Sequence, residues 1–489
     1  MTRRQATNAE AARAPTGLLE YLATLEDRLA ELEGRLAALE AENARLREQL
    51  AAATAKSQPH SGTSSRPPSS DPPHAPTRPR RDPTGRARGG QPGHVAHQRA
   101  LVPTDQVDAV VVHRPEACPR CQTPLPPALP PVGEPSRQQV WDIPEVVKAE
   151  VVEHQYVTVV CPACQQPVAA ERPPETPESQ FGVRTHALVG LLHGRYRLSM
   201  RETVALLFTL WALPLSVGSI PRLCRRVSAA LAPPYTEAQA AVQASGAVHV
   251  DETGWRCAGR RAWLWLAASP VATCFLIVGS RAGAVVTQLL GEHFTGIVHS
   301  DRFRAYRTVP VARRQLCWAH LDRNFAAVAT WGGATGLWGC NAQELVDQLF
   351  HVWHRFARGE ITRDGLVREV APIQTAFRAM LTRGLRCGTG PIPGLAADLD
   401  DLWPALWTFV TVPGVEPTNN AAERALRPAV LRRKGSFGTQ SDHGSRFVER
   451  LMTVSATCHQ HQRPLFAFLV DALTAHHAGL PAPQLLPTP

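Results

Sequence analysis

Lysine is almost missing from this chain: Lys56, Lys148 and Lys434 are the only lysines among 52 basic residues. The arginine bias reads as the mark of a GC-rich genome and carries no functional weight. No charged-then-apolar segment opens the sequence, which argues against secretion. The most apolar stretches, around Ala262–Val278 and Thr203–Val217, contain Pro270 and Pro214 and fall short of a membrane span, so no membrane partner is expected. Without a leader, eleven cysteines argue against a disulfide scaffold. Four of them form two CxxC pairs, which points to metal instead.

A chain of 489 residues is too long for one core, and about two to four domains are expected. A hydrophobic fraction of 44% with 19% charged residues suits a soluble globular protein. The net charge of +10 favours a polyanionic partner.

After a disordered start at 1–17, residues 18–55 read as a leucine zipper. Leu22, Leu29, Leu36, Asn43 and Leu50 take the a positions, and Leu18, Leu25, Leu32, Leu39 and Leu46 take d. Leucine at every d with a lone polar Asn43 at a favours a parallel, in-register homodimer through 18–50. The g–e pairs Arg28–Glu33, Arg35–Glu40 and Glu42–Arg47 are all of opposite sign. The competing reading is a single amphipathic helix docked on its own domain, which does not require that charge pattern.

Residues 56–105 form a linker, rich in Ser, Pro and Arg over Ser57–Pro83, that cannot bury a core. Its basic end, with Arg86 and Arg88, suits either minor-groove contact or simple solvation. Residues 106–172 read as a zinc-ribbon-like β segment. Val140–Ile143 and Val151–Val160 are strand candidates between Cys118-Pro-Arg-Cys121 and Cys161-Pro-Ala-Cys164. Each CxxC presents two thiolates, and four thiolates close a structural Zn²⁺ site. A redox role is the rival, but nothing thioredoxin-like surrounds them.

Residues 173–240 read as helical. Met200–Leu210 and Val217–Leu231 flank Ala212-Leu-Pro-Leu215, with Ser216 a plausible cap. The pair is either a helix-turn-helix, with Arg222, Arg225 and Arg226 facing DNA, or a small bundle packed on the next domain.

From 245 onward the pattern is α/β. Val248–Thr253, Arg261–Ala268 and Thr273–Gly279 read as three strands. A helix near Ala284–Leu290 follows, then a strand at Gly296–Ser300 and a fifth at Arg314–Ala319. That is the order of a ribonuclease H-like core, assigned to 241–332 and 413–475. A helical insertion spans 333–412, since a structureless loop of that length is improbable, and 476–489 is a tail. Asp251 lies inside the first strand and Asp301 at the end of the fourth. A carboxylate in an apolar strand is costly unless a cation compensates. Strand periodicity puts His249 on the face of Asp251 and His299 on that of Asp301, by design or by coincidence. Glu423 sits in Pro417-Thr-Asn-Asn-Ala-Ala-Glu-Arg-Ala-Leu-Arg427. It has capping-box spacing from Asn420, so it is either a third metal ligand or a helix cap. Arg424 and Arg427 share a helix side and are candidates for phosphate.

Taken in order along the chain, these features resemble the large transposase of the insertion sequence 66 family. The carrying residues are Ser64-Ser-Arg-Pro-Pro-Ser-Ser-Asp71, Gly89-Gly-Gln-Pro-Gly-His94, both CxxC pairs, His249-Val-Asp-Glu-Thr-Gly-Trp255 and Ser300-Asp-Arg-Phe-Arg-Ala-Tyr306. Cys317-Trp-Ala-His320 with Arg323, Asn419-Asn-Ala-Ala-Glu-Arg-Ala-Leu-Arg-Pro428, and Arg433-Lys434 with Phe437 and Ser441 complete them. The sequence has Thr418 where similar proteins often carry Asp, which touches local capping and not the ligand set. The resemblance implies a bacterial, cytoplasmic, nucleoid-associated enzyme with an Asp–Asp–Glu triad at Asp251, Asp301 and Glu423. His249, His299 and His320 are candidates to support that triad, and Arg433 and Lys434 join the DNA-contacting set. It also implies small companion proteins of the same element.

Three such carboxylates suit two Mg²⁺ (or Mn²⁺) ions acting on a phosphodiester, first in hydrolysis and then in strand transfer from a DNA 3′-hydroxyl. The rival functions are a catalytically inactive transposase remnant or regulator, and a ribonuclease H-like nuclease. The intact carboxylate set argues against the first. The zipper, linker and zinc segment argue against the second.

Overall fold

The structure is a computed structural model that describes residues 21, 24–25, 27–40, 42–43, 100–130, 132–141, 148–173, 176, 179–331, 333–387 and 390–487. Residues 27–40 are helical. Residues 21, 24–25 and 42–43 are helical too, whereas the other zipper residues, and linker residues 56–99 with Arg86 and Arg88, lie outside the described residues. The chain divides into two compact units. One comprises Thr77–Arg172 and Arg201–Val217, and the other Pro173–Met200 and Gly218–Pro489 together with Met1–Pro76.

In the smaller unit, strands β1 (Thr158–Val160) and β2 (Pro167–Ala169) form an antiparallel pair across the second CxxC. Described residues of the two expected strands other than 158–160 carry no strand, so the hairpin encloses a knuckle instead of joining two. Helix α1 (Val183–Val189) opens the larger unit and runs into a π-helical turn at Gly190–Arg195. Helix α2 (Met200–Trp211) follows, and then α3 (Ser219–Ala230) and α4 (Ala232–Gln243). One expectation changes here. The N-cap of α3 is Gly218 and not Ser216. Helices α2 and α3 also fall largely in different units, and α3 packs with α1 and with helices from the chain's end. The second helix thus packs as a member of a helical bundle in the larger unit.

The larger unit is built on a five-stranded mixed sheet. Strands β3 (Ala247–Cys257), β4 (Arg260–Ala268) and β5 (Thr273–Val278) form an antiparallel meander. The β3–β4 turn is two residues, Ala258 and Gly259, both at positive φ (49° and 75°). This is the backbone that a tight hairpin needs to match strand twist. Helix α5 (Ala284–Leu290) then leads to β6 (Ile297–Ser300), which lies parallel to β3, and β7 (Arg314–Leu316) lies parallel to β6. The order is β5-β4-β3-β6-β7. Strand β7 is shorter than its sequence suggests, because Trp318 already begins helix α6 (Trp318–Ala329).

Helices α7 (Gly333–Ala357), α8 (Arg363–Leu385), α9 (Ile392–Asp401) and α10 (Trp403–Thr411) make up the insertion. They share a core with α6 and β7 through Trp318, Phe325, Phe377 and Phe409. The last elements are α11 (Asn420–Ser436), α12 (Asp442–Gln460) and α13 (Leu465–His477).

Both sheet edges are closed by helices. On β5, the N–H groups of Thr273 and Phe275 donate to Thr457 Oγ1 and Thr453 Oγ1 of α12, at 3.2 and 3.0 Å. The Ile277 N–H donates to Glu449 of the same helix. Helical spacing of four on α12 thus meets strand spacing of two on β5. On β7, Gln315 Nε2 donates to Leu406 O of α10, and Phe409 N donates to Gln315 Oε1. Each arrangement satisfies backbone or buried amide groups that an open edge would offer to another chain.

Candidate carboxylate site and zinc knuckles

The site grows out of strand register. His249 on β3 is the parallel partner of His299 on β6. Asp251 and Asp301 each lie two residues further along, just past the point where the two strands stop pairing. Their carboxyls therefore come near one another where β6 ends beside the middle of β3. Both are half-buried. The Asp251 carboxyl is pushed well above the ordinary range, first by burial and then by the charges of Glu252, Asp301 and Glu423. Asp301 is raised too, by burial and by Glu252, against an opposing hydrogen bond from the Phe303 N–H and the nearby His320 and Arg281. Mutual repulsion in a poorly solvated place is the common cause.

Glu252, the fourth carboxylate, is already engaged. Arg281 Nη2 lies 2.5 Å from its Oε1, and the buried Tyr306 hydroxyl donates to its Oε2 at 2.5 Å. Asp251 and Asp301 each receive one N–H, from Glu252 at 2.9 Å and from Phe303 at 2.8 Å.

Glu423 lies in the first turn of α11. The helix is capped at Asn419 without a side-chain cap hydrogen bond, and the Asn420–Glu423 capping box is not formed. Arg323 Nη2 donates to Glu423 Oε1 at 3.2 Å, and His320 Nδ1 stands 3.5 Å from the same oxygen. Cys317, His320 and Glu423 have their ligand atoms within 4.8 Å of one another. The spacing Cys317, His320, Arg323 puts three groups on one face of α6. That periodicity is the signal that Arg323 belongs to the site.

Asn419 joins the parts. Its Nδ2 donates to Val250 O at 2.8 Å, so its Oδ1 is free to accept from His249 Nδ1 at 3.1 Å. Its own N–H donates to Cys317 Sγ at 3.1 Å. One buried side chain thereby fixes the Glu423 helix to the Asp251 strand. His299 accepts from the Glu416 N–H at Nε2 (3.2 Å), which leaves Nδ1 to donate to Val248 O at 3.3 Å. Both histidines are neutral Nδ1–H tautomers on this pattern. Burial drives His299 down to about 3 and lowers His249 as well.

A cationic shell surrounds the carboxylates. Arg314 is buried, donates to Ser300 Oγ and Asp301 O at 3.2 and 3.1 Å, and is lowered to about 10 by desolvation. Arg302 and Arg307 both pair with Asp398 of α9, which ties the insertion to the loop after Asp301. The Nε atoms of Arg302, Arg314 and Arg323 are buried with no partner among the described residues. Of the other arginines singled out in the sequence, Arg222, Arg225, Arg424 and Arg427 are exposed, as is Lys434. Arg226 is half-buried near His186. Arg433 is turned inward: its Nη1 donates to Thr253 Oγ1 and Gly254 O at 2.8 and 2.6 Å, so its charge supports β3.

In the smaller unit the two CxxC knuckles are built alike. Gln122 N donates to Cys118 O and Cys118 N to Thr123 O, and Gln165 N donates to Cys161 O and Cys161 N to Gln166 O. Gln122 and Gln165 take positive φ of 59° and 58°. Hydrogen bonds within each knuckle hold the Cys121 and Cys161 thiols below the ordinary thiol range, from Thr123 for Cys121 and from Cys164 and Ala163 N–H for Cys161. No three of the four thiols lie within 4.8 Å of one another.

The Transposase IS66 family matches residues 178–446, more than half of the chain, and the chain belongs to that family. Residues 115–165 match the zinc-finger binding domain of transposase IS66, which makes the knuckle segment a zinc-binding one. Residues 5–100 match a family of unknown function. The uncharacterized protein y4hP of Sinorhizobium fredii (strain NBRC 101917 / NGR234) is 24% identical over 423 residues, covering 78% of this chain and 74% of its own. The uncharacterized protein y4qI of the same strain is 25% identical over 272 residues, 46% of this chain, and the match spans only 46% of y4qI. No helix among the described residues is long and apolar enough to cross a membrane.

Proposed function

We propose that this chain is an Asp–Asp–Glu transposase that cleaves and joins DNA on a ribonuclease H-like core, with Asp251, Asp301 and Glu423 holding Mg²⁺ or Mn²⁺. The observation that carries the reading is the register of β3 and β6. It supports the reading by bringing two repelling aspartates near one another where β6 ends beside β3, with Glu423 near enough to raise one of them. The strand order β5-β4-β3-β6-β7 supports the core assignment. Hard oxygen donors in a half-buried cluster suit Mg²⁺, and Glu252 is excluded because Arg281 and Tyr306 occupy it.

When bound, the ions would activate the attacking water or 3′-hydroxyl and offset charge on the leaving oxygen. The protein's own part is positioning. Arg323 and His320 aim Glu423, Asn419 sets the spacing between helix and strand, and the unspent donors of Arg302, Arg314 and Arg323 favour a polyanion near the carboxylates. Arg222, Arg225, Arg424 and Arg427, with Lys434, would meet DNA phosphates.

Cys118, Cys121, Cys161 and Cys164 would hold a structural Zn²⁺, the two matched knuckles closing on one ion. Residues 18–50 would pair two chains in parallel. On the described helix Leu29, Leu32, Leu36 and Leu39 are each at least 50% exposed, an apolar stripe that needs a partner.

The deciding experiment is cleavage of duplex DNA carrying the element's own ends, with Mg²⁺, by wild type and Asp301→Asn. The variant is expected to lose about a thousandfold or more. Undiminished cleavage by it would remove the mechanism.

A further inference from the structure

A cavity of about 580 Å³ lies in the larger unit, between α11, α12, the start of β3 and the end of the π-helical turn. Its cationic wall is made of Arg195, Arg197, Arg424 and Arg432, and His249 and His459 also line it. No aspartate or glutamate lines it. Ala421, Arg424, Ala425, Pro428 and Arg432 recur at helical spacing, so one face of α11 is given over to the cavity. Phe275, Leu451 and Met452 supply apolar surface.

Among the described residues no carboxylate pairs with these arginines. Arg432 is 7% exposed, and its Nη1 donates to His193 O and Gly194 O at 2.8 and 2.9 Å. Its Nε is buried with no partner among the described residues. A buried guanidinium without a carboxylate is costly unless an anion comes to it. The other large cavity, of about 650 Å³, makes the contrast: there Arg302 and Arg307 share the lining with Asp398 and Asp401, and the charges balance.

We propose that the arginine-lined cavity binds one nucleotide unit, with the phosphate on Arg195, Arg424 and Arg432 and the base against Phe275, Leu451 and Met452. Its volume is that of a small-ligand pocket, and cations above an apolar floor match a phosphate joined to a flat base. The proposal rests on the reading of the chain as DNA-acting. Arg424 directly follows Glu423, so a nucleotide held here sits beside the carboxylate helix. The unit comes either from a DNA strand, turned out of its stack, or from a free nucleotide.

The test uses full-length, zinc-loaded protein without Mg²⁺, in wild-type and Asp301→Asn backgrounds, so it does not depend on cleavage. Calorimetry with dAMP should show saturable binding about tenfold tighter than inorganic phosphate. Arg195→Ala with Arg424→Ala should weaken both by about tenfold or more. Ala456→Trp, which fills the cavity and keeps every arginine, should weaken dAMP by about tenfold and spare phosphate. Unchanged circular dichroism shows that each variant folds. Absent dAMP binding, binding indifferent to Ala456→Trp, or equal affinity for phosphate overturns the proposal. Duplex DNA containing 2-aminopurine separates the sources. A fluorescence rise with wild type that Ala456→Trp abolishes assigns the unit to DNA. No rise alongside intact dAMP binding assigns it to a free nucleotide. Loss of cleavage by Asp301→Asn with dAMP binding intact supports both readings separately, and dAMP binding without any metal-dependent cleavage in wild type sinks only the catalytic one.

Discussion

His249 and His299 stack with ring centroids 4.0 Å apart and planes 14° from parallel, as partners on adjacent parallel strands. The stack lies two residues short of Asp251 and Asp301. Two imidazoles in face-to-face contact cannot both carry charge without strong repulsion, which agrees with the depressed affinity of His299 for a proton.

That neutrality is open to measurement. The folded value of His299, about 3, lies below the ordinary 6.5. Between those values the folded chain binds fewer protons than the unfolded chain, so its contribution is full above pH 6.5 and is lost as pH falls. Carbon and nitrogen chemical shifts of the His299 ring should stay those of the neutral Nδ1–H form down to about pH 4. A titration midpoint near 6.5 would contradict the buried stack.

The aspartates act in the opposite sense. Asp251 and Asp301 are raised above 3.8, so the metal-free protein loses stability as pH rises from that value through their folded values. At neutral pH without metal, Asp301→Asn should melt roughly 2–4 °C above wild type, a difference that closes towards pH 4. Mg²⁺ should raise the wild-type midpoint and leave the variant nearly unmoved. Calorimetric scans across pH 4–8 with and without Mg²⁺ check both. Glu449, pushed to about 7 by burial, titrates with the same sign, so the wild-type-minus-variant difference is the quantity to read.

Asn419→Ala removes the bonds to His249 and Val250 and leaves a buried carbonyl and imidazole without partners. A cost of about 1–3 kcal/mol is expected. Because the residue positions α11, cleavage should slow by about tenfold at saturating DNA while KM stays nearly fixed. A raised KM with unchanged turnover would argue against the positioning role.

The knuckles predict a separable metal. Wild type should hold about one zinc per chain by atomic emission, and Cys118→Ser or Cys161→Ser should reduce that by half or more. Asp301→Asn should leave the zinc content alone. Zinc retained in full by both cysteine variants would remove the four-thiolate site.

Local pattern carried much of this protein in its sequence. Alternation of apolar residues placed β4 to β6 within one residue and found β3, though it ended that strand four residues early. The place of Asp251 and Asp301 on otherwise apolar strands singled them out as candidates, and the paired CxxC motifs marked a zinc segment. What depended on partners distant in the chain was not legible. Glu423 had the spacing of a capping residue as well as the place of a third carboxylate, and its contact with Arg323, 100 positions earlier, could not be read from the spacing. Arg433 looked like a free cation until β3 supplied Thr253 and Gly254 as acceptors. The two helices flanking Ala212–Leu215 read equally as a DNA-reading pair or a bundle, and only packing showed which helices the second one meets. Backbone periodicity is set by near neighbours and can be read along the chain. The charge state and partners of a polar side chain are set by what the fold brings against it: for Asp251 and Asp301 that was the register of two parallel strands, and for Glu423 the docking of its helix through Asn419.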